Sequence, residues 1–168
     1  MGPQSTGKSS LSAALAARFK TTYMTEYGRT YDAIYRRGRG WTAADFVHLA
    51  EVHVSIRKPL MERAGALFFE DTDALQTVVW SERLGAPMSV TALLPDFEPA
   101  DLYLLLSPEV PWLDDGTRYF EAAETRVWFF QRTRDLLEAV GAPYEIIAGD
   151  SWEERTRLAA QRVSARLR

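Results

Sequence analysis

Cysteine is absent from this 168-residue chain. Without a thiol there is no disulfide framework, no thiolate nucleophile and no Cys-ligated zinc or iron–sulfur centre. Histidine is scarce: His48 and His53 stand five apart, so they do not share a helix face and do not suggest a metal pair. No apolar run approaches the roughly 20 residues of a membrane span. The opening Met-Gly-Pro-Gln-Ser lacks the apolar stretch of a secretory signal, so a cytoplasmic protein with no membrane partner is expected. Basic charge is not in excess. Lys and Arg number 20 against 23 Asp and Glu, net −3, which argues against a nucleic-acid partner. No repeat, low-complexity linker, Ser-His-Asp set or glycosidase-like carboxylate pair stands out. Apolar residues at 46% and charged residues at 26% are near globular averages, which excludes a disordered chain or a fibre. The length fits one domain, residues 1–168, burying roughly 70% of its unfolded surface.

Helical and strand patterns alternate, the mark of an α/β domain. Residues 8–19 predict a helix, with Leu11 and Leu15 four apart. Residues 21–24 predict a short strand, and 30–37 a short helix stopped by Gly38 and Gly40. Thr42 reads as an N-cap, with Asp45 three residues on, opening a helix over about 43–64. Pro59 inside that span predicts a kink or a break. Further strands are expected at 66–69, 101–107 and 144–147, and further helices at 74–84, 121–140 and 152–167. The Leu-Tyr-Leu-Leu-Leu run within 101–107 suits a strand buried on both faces of a parallel sheet. Of the five tryptophans, four are expected in the core and Trp112, in a polar Pro/Gly loop, outside it.

Gly2-Pro3-Gln4-Ser5-Thr6-Gly7-Lys8-Ser9 fits the phosphate-loop pattern G-x-x-x-x-G-K-[ST]. The glycines let backbone N–H groups turn inward on a phosphate, and the helix that follows adds its positive dipole end. Gly2, Pro3, Gln4, Ser5, Thr6, Gly7, Lys8, Ser9 and Ser10 are therefore the expected ATP-binding residues. Lys8 would reach the β- and γ-phosphates, and Ser9 would offer an oxygen to Mg²⁺. The motif ordinarily follows a buried strand, yet only Met1 precedes Gly2. The expectation is a three-layer α/β/α P-loop fold with a mostly parallel sheet whose first strand is missing. A start site placed too late would explain it, and an intact mass of the native protein larger than this chain's would support that.

Ligands of such folds bind at the carboxyl ends of the strands. Asp71 ends the expected strand at 66–69 and is a candidate Mg²⁺ ligand. Asp73 either shares that site or caps the next helix. Glu26-Tyr27-Gly28-Arg29 follows the 21–24 strand. Its carboxylate could take a proton from an attacking hydroxyl or bind sugar hydroxyls, and Arg29 could pair with it or contact a phosphate. A solvated surface ion pair is the plain alternative. The loop over 108–120 is where a lid would close. Arg118, with Arg126 next, is the candidate to neutralise the transferring phosphoryl group.

Together these pieces resemble the ribosylnicotinamide kinase domain of the bifunctional NadR-type proteins of bacteria. The resemblance spans nearly the whole chain. It rests on Gly2–Ser9, on Glu26-Tyr27-Gly28-Arg29, on Asp71-Thr72-Asp73, and on Pro111-Trp112 with Asp115-Gly116 and Arg118. It implies a P-loop kinase with a parallel sheet and a lid. The implied reaction is phosphorylation of nicotinamide riboside by ATP to nicotinamide mononucleotide, a step of NAD salvage. Gly2–Ser9 would bind ATP and Mg²⁺, while Glu26, Tyr27, Arg29, Asp71, Asp73, Trp112 and Asp115 would meet the riboside. Which carboxylate, Glu26 or Asp71, is the base stays open. The sequence departs from the family in lacking its adenylyltransferase domain and the strand before the phosphate loop. Two other readings remain: a P-loop kinase for another nucleoside or nucleotide, and a non-catalytic ATP-binding regulatory module. An AAA-type mechanical ATPase is disfavoured by the short chain.

Overall fold

The computed structural model describes residues 1–89, 97–114, 116 and 118–168. The first half comprises α1 (Lys8–Phe19), β1 (Tyr23–Met24), α2 (Tyr27–Tyr31) continued by a π-helical turn over Asp32–Arg36, and α3 (Ala43–Ala64). The second comprises β2 (Phe69–Glu70), α4 (Ala74–Arg83), β3 (Tyr103–Leu106), α5 (Ala123–Ala139), β4 (Tyr144–Ile147) and α6 (Trp152–Arg166). Among the described residues no helix is long and apolar enough to cross a membrane.

The strands pair in parallel, as expected. β1 lies on β2 with Tyr23 opposite Phe69, and β3 lies on β4 from Tyr103 opposite Tyr144 to Leu106 opposite Ile147. One apolar cluster, built on Phe46, Leu75, Val79, Phe129 and Leu137, unites α3, α4 and α5. A second, with Leu11, Leu15, Leu106, Ile147 and Ala159, joins α1 and α6 to β3 and β4. Helices thus cover both faces of the strands, the three-layer α/β/α arrangement.

Between the two strand pairs lies a cavity of about 440 Å³, walled by residues 66–71 on one side, by 102–104 and Leu106 on the other, and by Leu11 and Leu15 of α1. This is the place of the strand expected before the phosphate loop. Met1 enters it: its amine donates to the Leu104 carbonyl at 2.8 Å and its carbonyl accepts from Leu106 N–H at 3.0 Å. The open edge explains why β2 covers only Phe69–Glu70 rather than residues 66–69. A strand with a ladder on one side alone has fewer bonds to hold it extended.

Thr42 caps α3 as predicted. Its hydroxyl accepts from Asp45 N–H while the Asp45 carboxylate accepts from Thr42 N–H. Of the two outcomes expected at Pro59, a kink or a break, the break does not occur: α3 runs through it from Ala43 to Ala64. Pro59 and Ser55, whose carbonyl the proline leaves unbonded, are both exposed, so water serves that carbonyl while the other face packs on α4. The helix expected at 30–37 begins earlier, at Tyr27, and closes at Arg37 in the left-handed region rather than at Gly38. An Arg29–Glu26 ion pair spans its first turn. The tryptophan expectation also fails: none of the five is fully buried, and Trp128 and Trp152 are 37% and 40% exposed. Trp41 and Trp80 are partly buried and pack against the first apolar cluster.

Candidate active site

The phosphate loop curls as its sequence requires. Gly2 has φ 128°, and a Cβ there would stand 2.7 Å from the Leu106 carbonyl oxygen, so the position admits only glycine. Gly7, at φ 86°, caps α1, and Ser5 also takes positive φ. Two side-chain bonds hold the turn from inside: the Thr6 hydroxyl and Lys8 Nζ both donate to the Pro3 carbonyl, at 2.9 and 2.8 Å. A third anchor comes from far along the chain. Gly2 N–H donates to Gln76 Oε1, and Gln76 Nε2 donates to Thr133 Oγ1. Both Gln76 and Thr133 are fully buried. Ser9 and Ser10 open α1 on its exposed side.

Lys8 is the electrostatic centre of the site. Burial lowers its pKa, Glu26 and Asp71 pull it back up, and Arg29 and Arg118 push it down again. Four sequence-predicted residues from three separate segments therefore surround the lysine. Asp71, which follows β2, is 3% exposed, its N–H bonds to the Met24 carbonyl, and its Oδ1 has no hydrogen-bond partner among the described residues. Glu26 stands at the N-terminal boundary of α2 and receives Arg29 Nε at 3.2 Å.

Asp73 sits differently. Its Oδ1 caps α4 by accepting from Gln76 N–H, and its Oδ2 accepts from the Tyr103 hydroxyl at 2.7 Å. Burial raises its pKa, and the Tyr103 bond opposes that shift. Both oxygens are thus engaged within the fold, as the capping alternative describes. Thr72, between the two aspartates, has φ 81°. This conformation is strained for a β-branched residue, and it turns the chain so that Asp71 and Asp73 meet different partners.

A second cavity, also about 440 Å³, opens beside Lys8. Its floor holds Glu26, Asp71 and Thr72, and its walls include Tyr27, Trp41, Trp80 and Tyr119. Trp41 stacks on Phe46 at 4.9 Å and carries the Arg36 guanidinium over its ring at 4.3 Å. An aromatic wall above carboxylates suits a ligand with a flat, cationic ring.

The 108–120 loop closes over this cavity through contacts that sequence spacing does not reveal. Ser5 Oγ accepts from Leu113 N–H at 2.8 Å and from Arg118 Nη1 at 2.9 Å. Gln4 Oε1 accepts from the N–H groups of Tyr119 and Phe120. The Tyr119 hydroxyl donates to Asp32 and accepts from Arg36 Nη2 at 3.1 Å. Gln4 and Ser5, expected as ATP-binding residues, therefore also hold the loop. Arg118 lies over the half-buried Trp112 ring at 5.6 Å. Asp115, expected to bind substrate, lies outside the described residues. Trp152, far from the motif in sequence, brings its ring against Gly7, where a Cβ would stand 3.1 Å from it.

A phosphate loop that opens α1 beside the carboxyl end of β3, a lysine ringed by carboxylates and arginines, and a covered pocket together define a P-loop kinase. Residues 1–155 match the family model AAA_28, an AAA domain, and the chain belongs to that family. Over 158 residues, 92% of its length, it is 27% identical to the trifunctional NAD biosynthesis/regulator protein NadR of Escherichia coli (strain K12). It is similar over 98% of its length to a solved structure of NadR protein in complex with NR, with a TM-score of 0.81 and 23% identity. It also matches deoxyadenosine kinase from M. mycoides with products dcmp and a flexible dcdp bound, with a TM-score of 0.57, 11% identity, and coverage of 98% of this chain and 97% of that one. The chain spans 38% of the NadR relative and 49% of the solved NadR chain.

Proposed function

We propose that residues 1–168 act as one kinase domain that transfers the γ-phosphoryl group of ATP to the 5′-hydroxyl of nicotinamide riboside, forming nicotinamide mononucleotide. The observation that carries this reading is the convergence of Lys8, Glu26, Asp71, Arg29 and Arg118 beside a pocket walled by Tyr27, Trp41 and Trp80. The similarity to NadR, one structure of which holds NR, supports it.

In this reading the phosphate loop seats the triphosphate on its inward N–H groups, and Lys8 follows the terminal phosphates. Its lowered pKa marks a desolvated ammonium that a phosphate would stabilise. Arg118, held at Ser5, is placed to neutralise charge on the group in transfer. The aromatic wall orients the cationic nicotinamide ring, and Glu26 with Arg29 faces the ribose side. Glu26 or Asp71 takes the proton of the attacking hydroxyl. The residues fit Mg²⁺: Asp71 keeps a buried oxygen with no partner among the described residues, and Ser9 stands at the start of α1. When bound, the ion would neutralise phosphate charge there.

The test is nicotinamide mononucleotide formation from ATP, Mg²⁺ and nicotinamide riboside, with Lys8→Ala as the blank. Product is expected above the blank, with Lys8→Ala slower by at least about 100-fold. A chain that binds ATP without forming product overturns the acceptor. The structural likeness to deoxyadenosine kinase favours trying other nucleosides next. ATP binding with no transfer to any of them would favour a regulatory module.

A further inference from the structure

Arg126 is only 7% exposed, and its Nε and Nη2 donate to no group among the described residues. It sits in the first turn of α5, where the positive end of the helix dipole opposes another cation. Its charged neighbours are also cations: after burial itself, Arg155 and then Arg118 push its pKa below the usual arginine value. The other two guanidiniums are tied. Arg155 donates to the Ser107 carbonyl, the Ser107 hydroxyl and the Gly149 carbonyl. Arg118 donates to Ser5 in the phosphate loop. Ser107 follows directly on β3, and Leu106 before it packs against Gly2. The three arginines therefore cluster at the carboxyl end of β3, next to the loop that would seat a triphosphate.

A buried guanidinium without an acid partner is costly to a fold. Burial, helix dipole and neighbouring charges all act against Arg126, and a bound anion would offset their combined cost. A role in stability alone does not account for it, because an apolar side chain of similar size would fill the same space without the penalty.

We propose that Arg126 is a phosphate-binding residue whose unpartnered Nε and Nη2 take oxygens of the nucleotide's terminal phosphates. This rests on the kinase reading only in taking the anion to be the triphosphate. The side chain turns toward the phosphate as nucleotide enters, since both atoms are shielded from water without it. A guanidinium gives two parallel donors to one phosphate, which a lysine does not.

The test uses the full chain and the variants Arg126→Met and Arg126→Lys. Thermal midpoints are measured alone, with Mg²⁺–ATP, and with inorganic tripolyphosphate. Michaelis constants follow for ATP and for whichever nucleoside is accepted. Arg126→Met is expected to melt higher than the parent without ligand, because the uncompensated charge is gone. Its midpoint shifts with ATP and with tripolyphosphate should fall to less than half the parent's. Its affinity for ATP should weaken on the order of 10- to 100-fold, with the nucleoside KM unchanged within about twofold. Arg126→Lys should bind ATP more tightly than Arg126→Met but less tightly than the parent. A lower ligand-free midpoint together with an undiminished ATP shift overturns the proposal and makes Arg126 structural. If Arg126→Met does not fold, Arg126→Lys decides: an ATP shift equal to the parent's overturns the proposal, and a reduced one supports it. Because tripolyphosphate and ATP shifts need no acceptor, a failed riboside assay leaves this result readable.

Discussion

Thr72 concentrates at one residue a tension between stability and function. Its φ of 81° costs a β-branched residue about 1–3 kcal/mol, and its buried hydroxyl has no partner among the described residues. Glycine adopts this conformation without strain but loses roughly 0.5–1 kcal/mol more chain entropy on folding. Thr72→Gly is therefore expected to stabilise the protein by about 1 kcal/mol, read as a higher urea midpoint with an unchanged slope. A fall in the midpoint would mean that the threonine's packing outweighs its strain. The strain has a use, because it sets Asp71 toward Lys8 and Asp73 into the Tyr103 and Gln76 bonds. Adjacent acidic residues in sequence thus acquire unlike roles, and nothing in Asp71-Thr72-Asp73 itself states which acid turns inward.

At the scale of the element, the start of α3 does more than begin a helix. Asp45 Oδ2 accepts from both the N–H and the hydroxyl of Thr42, and its Oδ1 accepts from the Tyr31 hydroxyl at 2.6 Å. One carboxylate therefore caps α3 and ties it to α2, whose Tyr27 faces the pocket. These hydrogen bonds hold its pKa below the usual aspartate value. Thr42→Ala should cost about 1 kcal/mol, the ordinary loss of an N-cap. Asp45→Ala should cost about 2 kcal/mol, since Tyr31 is also left without its acceptor. Equal losses in chemical denaturation would show that the Tyr31 bond contributes nothing. The cap was legible because its signal is local, three residues from Thr42 to Asp45. The same holds for α4 at residues 74–83 and β4 at 144–147, whose ends are marked by a capping aspartate and by Gly141 and Pro143. The helix expected at 30–37, marked only at its end by Gly38 and Gly40, begins earlier, at Tyr27. β2 came out shorter because it pairs with β1 on one side and borders the cavity on the other, so pairing rather than its own residues sets its length.

Across the whole molecule, the 108–120 loop links three distant parts of the chain. Gln4 and Ser5 hold it to the phosphate loop, and Tyr119 holds it to Asp32 and Arg36 beside the aromatic wall. Closure of the nucleotide side and of the pocket side is thereby mechanically joined. Tyr119→Phe removes the bridging hydroxyl while keeping the ring against Trp80. Limited proteolysis within 108–120 is expected to run roughly ten times faster in this variant, in keeping with the loss of hydrogen bonds to charged groups. An unchanged cleavage rate would show that Gln4 and Ser5 alone retain the loop. Gln4 and Ser5 occupy the free positions of the phosphate-loop pattern, so the motif is silent about this second duty.

The sequence by itself determined the phosphate loop, the alternation of helices and parallel strands, the cap of α3 and the set of charged candidates, because each depends on residues near one another in the chain. The tertiary structure alone decided which of those candidates meet. It brought Glu26, Asp71, Arg29 and Arg118 around Lys8, engaged both oxygens of Asp73 inside the fold, and buried Arg126 among other arginines. It also left a strand-wide space between β2 and β3 and put Trp152 against Gly7. The physical reason is that charge and burial act through space. Whether a carboxylate caps, coordinates or pairs depends on the groups within a few ångströms of it, and most of those arrive from elsewhere in the chain.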